Sequence, residues 1–193
     1  NASTSSGLVS TADTSGTLEL QSNGTTQFTV ASTGAYGQLK ASTAQASTSG
    51  TSIDFTSIPS WVKRITVMFN GVSASSASPY GLVQIGSGSV TSSGYIGTMF
   101  TATGTNTLTS FTAGFGIWNF GNAADTTNGT IVLTTLGSNV WVASGTFTQA
   151  GSARAITTAG NITLGGALDR VRITTSDGTT TFDAGSINIL YEG

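Results

Sequence analysis

The chain has 193 residues, a net charge of −2, and neither cysteine nor histidine. Those absences exclude disulfides, thiolate chemistry, Cys-ligated zinc and any Ser-His-Asp or Cys-His catalytic centre. Only 7% of the residues are charged, against about 25% in an average domain, and the few Lys and Arg are too scattered for the basic stripe that nucleic acid requires.

Ser and Thr make up roughly a third of the chain, with 26 Gly and 2 Pro, yet hydrophobic residues reach 37%. They alternate along the chain, whereas disordered chains are charged and poor in β-branched and aromatic residues. The composition therefore reads as ordered and β-rich. No apolar run approaches the roughly 20 residues of a membrane-spanning helix, so no membrane insertion is expected. With no initiating Met, the chain reads as processed or as part of a longer one.

A first zone, residues 1–45, holds two short alternating runs at 17–20 and 26–31. They flank Asn23-Gly24, a strong hairpin-turn signal. Residues 40–52 are small and polar without periodicity, which reads as a linker. Two short strands cannot stand alone; they need the second zone or copies of themselves on neighbouring chains. That second zone, residues 46–193, shows strand-like runs at 52–56, 63–72, 80–86, 95–101, 114–120, 129–136, 140–148, 154–164, 168–174 and 179–192. Gly-rich turns separate them, and no stretch carries a sustained 3.6-residue period. The expected fold is all-β, a jelly-roll-like β-sandwich preceded by a short β-rich stem.

Three segments allow closer reading. In "WVKRITVMFN", alternation puts Ile65, Val67 and Phe69 on one face, with Trp61 plugging the sandwich end and Lys63 and Arg64 in solvent. A Trp-Lys-Arg patch for an acidic glycan is the rival reading of the same residues. At Gly137-Ser138, a tight hairpin pairs Leu136 with Asn139 and sets Leu133 opposite Val142. At Asp177-Gly178, a two-residue turn pairs Ser176 with Thr179 and sets Arg172 opposite Asp183. The apolar parity then changes beyond Gly185, which calls for a bulge near Ala184-Gly185.

The runs "TSIDFTSIPSWVKRITVMFNGVS", "VQIGSGSVTSSGY" and "FDAGSINILYEG" resemble the C-terminal β-domain of bacteriophage fibre and other virion-appendage proteins. "TADTSGTLELQSNGTTQFTV" is similar to the repeat-like stem segments that precede such domains. The resemblance implies a homotrimeric structural protein on the virion surface. Its N-terminal segment would dock onto other virion proteins, and its outer domain would touch a host-surface glycan. No residue-level binding motif comes with it. Two alternatives remain: a capsid decoration or head-fibre protein without a receptor role, and a secreted carbohydrate-binding module.

Catalysis is not expected. A glycosidase needs two carboxylates about 5–10 Å apart. Of the 8 acidic residues, only Asp54 and Asp125 lack an evident structural role, and they lie far apart in sequence. No calcium-loop spacing occurs, and no metal or cofactor is expected. If a receptor is bound, the candidates are Tyr80, Tyr95, Trp118, Asp125 and Asn128, aromatic and polar residues in or beside turn-rich segments. Aromatic faces stack on sugar rings, and polar groups orient the hydroxyls.

Overall fold

The computed structural model describes residues 18–22, 25–30, 39–77, 79–119 and 122–193. The chain divides into two units, Asn1–Gln38 and Leu39–Gly193. In the first, β1 (Leu18–Ser22) pairs antiparallel with β2 (Thr25–Val30), with Ser22 opposite Thr25. The expected turn residues Asn23 and Gly24 lie outside the described residues.

The second unit is a two-sheet antiparallel β-sandwich. Its strands are β3 (Leu39–Ala41), β4 (Gln45–Ala46), β5 (Ser52–Thr56), β6 (Arg64–Ala74), β7 (Tyr80–Ser87), β8 (Ser89–Val90), β9 (Ile96–Ala102) and β10 (Thr107–Phe111). They continue as β11 (Phe115–Asn119), β12 (Thr126–Gly137), β13 (Val140–Ala150), β14 (Arg154–Thr163), β15 (Arg170–Thr175) and β16 (Phe182–Glu192). The larger sheet runs β10-β9-β14-β13-β12-β6-β16-β3, with β4 also on β16. The smaller runs β11-β7-β15-β5, with β8 on β7.

Period-2 alternation builds this arrangement, since successive side chains point to opposite faces of a sheet. Ile65, Val67 and Phe69 of β6 turn inward together with Ile131 and Leu133 of β12 and Ile187 and Ile189 of β16. Val83 and Ile85 of β7 and Val171 and Ile173 of β15 meet them from the smaller sheet. Trp118 of β11 joins the two layers, stacking edge-on against Phe69 at 6.2 Å and Phe182 at 6.1 Å between ring centres. Gly81 makes room for it, because a Cβ there would fall inside the Trp118 indole. The bulge expected near Ala184-Gly185 is present: the β16–β6 register shifts on both sides of Ala184, and Gly185 has φ 93°.

Three local expectations are corrected. Residues 40–52 are not a plain linker: β3 and β4 lie there and pair with Leu190–Glu192 and Ser186–Ile187. The hairpin at 137–138 is shifted by one residue. Ser138 and Asn139 both take positive φ, Gly137 pairs with Val140, and Leu133 faces Ala143. The register step at Leu136 turns Trp141 inward.

The third correction is the largest. β15 and β16 do not pair at all: β15 lies between β7 and β5, and β16 lies beside β6 in the other sheet. A turn signal states that the chain reverses, not that its two arms bond to each other. Here Asp177 accepts hydrogen bonds from Thr175 Oγ1, Thr179 N, Thr180 N and Thr180 Oγ1, and the chain crosses from one sheet to the other. Arg172 therefore meets Asp54 of β5 rather than Asp183, and Asp183 accepts from Ser73 Oγ.

Candidate functional site

The five residues chosen as receptor contacts do not form one exposed cluster. Trp118 has no exposed surface and serves as the inter-sheet joint. Tyr95, buried just before β9, hydrogen-bonds through its hydroxyl with Ile85 N at 2.8 Å, Ile85 O and Thr91 O. Burial raises its pKa to about 12. Asp125 is buried in a turn and accepts from Asn122 N and Ser152 Oγ. Asn128 lies inside β12 and accepts from Gly71 N at 2.8 Å. Tyr80 alone keeps a partly open ring, edge-on to Phe111 at 5.2 Å. Nearness to a turn in sequence does not decide which face a side chain takes, and the core claims the large rings.

The two carboxylates left without roles by the sequence are also engaged. Asp54 accepts a bidentate pair from Arg172 at 2.7 and 2.9 Å, and Asp125 holds its own turn. Asp169 takes Arg170 at 2.7 and 3.1 Å, which lowers its pKa. Glu192 pairs with Arg64 at 3.5 Å. Among the described residues, no group of three or more acidic, Cys or His side chains is placed to hold a metal ion. No helix of the described residues is long and apolar enough to cross a membrane.

Two of the surface cavities are lined by described residues. One, about 390 Å³, lies where β6 begins, beside the β12–β13 turn. Trp141 and Leu136 supply apolar wall; Ser60, Ser138 and Asn139 supply hydroxyl and amide groups; Lys63 stands at its side. Lys63 forms no ion pair among the described residues, unlike neighbouring Arg64. This cavity contains one member of the expected Trp-Lys-Arg patch. The sequence missed its other members because Lys63 meets the turn only through cross-strand pairing of β6 with β12, where Thr135 N donates to Lys63 O at 2.9 Å. The second cavity, about 350 Å³, lies on the outer side of the smaller sheet, lined by Gln84, Arg172, Thr174 and Asp177 among others. Its polar groups are largely taken: Gln84 donates to Ala113 O, Thr174 to Thr51 O, and Arg172 to Asp54.

The outer face of the larger sheet is a further surface feature. From β9 and β10 through β14 and β13 to β12 it carries no charged side chain; Arg154, the one charged residue in these strands, has inner-face parity and donates to Asn119 O. Thr157, Thr146 and Thr130 stand side by side across β14, β13 and β12. No known protein family, characterised protein or solved structure matches this chain.

Proposed function

We propose that this chain is a structural and adhesive module of a virion appendage, a fibre or spike of three copies. Residues 1–38 attach it to the particle, and the sandwich is presented to the host surface. The observation that carries the reading is the uncharged, hydroxyl-rich outer face of the larger sheet from β9 and β10 to β12, while the carboxylates named above are engaged in holding turns and strands. Such a surface suits display and contact, and short β1–β2 hairpins gain stability when copies share one core.

The host glycan is assigned to the cavity beside Lys63. Its apolar wall can lie against a sugar ring, Asn139 and Ser138 can bond hydroxyls, and Lys63 favours a saccharide bearing a carboxylate. Native mass spectrometry of residues 1–193 and 39–193 tests the assembly. The cut falls at 38/39 because β3 and β4 belong to the sandwich. A three-chain species that is lost on truncation supports the reading; one that never forms overturns it. Glycan-array binding that disappears in Lys63→Ala tests the cavity.

A further inference from the structure

A sheet ends in a row of unpaired N–H and C=O groups that will accept another strand, and proteins block such margins with short strands, charges, bulges or covering groups. Three of the four margins here are blocked. The β3–β4 margin is broken into strands of 3 and 2 residues and carries Lys40. At β5, Gln45 Nε2 reaches across to Asp54 O at 2.8 Å. At β11 the register shifts between Gly116 and Trp118.

Among the described residues, β10 has none of these devices. Thr107 to Phe111 pair with Thr101 to Gly97 of β9 in unbroken register, with no charge, proline or glycine in the strand. Leu108 is 73% exposed on β10, and Ile96 is 71% exposed at the start of β9.

We propose that β10 pairs antiparallel with β10 of a second copy of this chain, joining two nine-stranded sheets edge to edge across a two-fold axis. Charge complementarity fits this occupant. In a two-fold contact residue i meets residue j and j meets i, and only groups near the axis meet their own copies, so a charge in the middle of β10 would meet a like charge. The outer faces of β10, β9 and β14 carry none. A charged partner would find no counter-charge there. This contact is additional to the proposed three-chain assembly and doubles its chain number.

Native mass spectrometry of the full chain over a concentration series reads this directly. The expected result is a species with twice the chains of the smallest assembly, growing with concentration. The double variant Ile96→Lys with Leu108→Lys should weaken doubling about tenfold or more, since two added positive charges on each copy then repel across the contact, while the smallest assembly persists. Leu136→Lys, an equally exposed site at 72% on another part of the sandwich, should leave doubling intact. If the double variant does not fold, Ser110→Lys on the same exposed strand face replaces it, with the same weakening expected. Doubling that is absent from the unmodified chain, undiminished by the β10 variants, or lost equally in Leu136→Lys overturns the proposal. Failure of the three-chain assembly shows instead as a change in the smallest species, so the two readings fail separately.

Discussion

The two sheets bury their inner faces in the same way and use their outer faces in opposite ways. On the smaller sheet, outward groups bind one another: Arg172 to Asp54, Gln84 to Ala113 O, Thr174 to Thr51 O. On the larger sheet, outward groups from β9 to β12 are uncharged and stand in rows without ion pairs. One alternating code thus yields a face spent on internal support and a face left for contact. The same period-2 pattern cannot distinguish them, because the difference lies in which strands become neighbours.

The severest way to break this comparison is to separate the layers. Trp118→Ala removes a fully buried ring shared by β6, β11 and β16, and should cost about 3–5 kcal/mol in a urea titration. Tyr95→Phe acts on the second link between layers, leaving the buried Ile85 N without its acceptor. It should cost about 1–3 kcal/mol. Tyr95 also sets an alkaline limit. Its folded pKa is raised to about 12, so its contribution is complete below the unfolded value of about 10 and is lost as pH rises from there. The Phe variant should lack that component of the alkaline loss.

Gln149→Met sharpens the contrast from the inside. Gln149 is 1% exposed and, among the described residues, neither end of its amide has a partner, beside the equally unpartnered hydroxyl of Thr127 on the paired strand. Removing a buried polar group without bonds should stabilise the fold by about 1 kcal/mol, read as a higher melting temperature. Asp54→Asn weakens the outer support of the smaller sheet. Because both partners are about a third exposed, the loss should stay below about 1 kcal/mol. The smallest effect concerns Asp177, whose pKa is lowered chiefly by the Thr180 hydroxyl and the Thr180 backbone N–H. Its contribution is present above the unfolded value of about 3.9 and disappears as pH falls through the folded one. Asp177→Ala should lower stability at neutral pH and make no difference at pH values below the folded pKa, so the acid limb of the stability curve flattens.

Ten strands of the sandwich were legible because most of them alternate and Gly-rich turns separate them, while β7 and β11 are apolar runs buried nearly throughout; 52–56 coincides with β5. β10 escaped because Thr107–Phe111 buries only Phe111 and so shows no alternation. β3 and β4 escaped because strands of 3 and 2 residues are too short to show an alternation. The Arg172 partner was out of reach for another reason: Asp177 signals reversal equally well for a hairpin and for a crossing between sheets. At the candidate site, Trp118 could not be placed because the register slips beside Ile117, which turns both residues inward. Lys63 was visible as a cation at a strand start, but its cavity exists only once the β12–β13 turn is laid against it.

Leu39 and Glu192 are partners across one ladder, so the sandwich starts and finishes at adjacent points of the same corner. Closely placed ends tolerate rejoining. A short bridge between these two ends would make the sandwich a ring, which could be reopened at the Ser138-Asn139 turn without cutting a strand. By the same geometry, tension applied between Leu39 and Gly193 peels β3 from β16 one hydrogen bond after another. The rest of the larger sheet would be spared, so this corner would serve as a mechanical fuse.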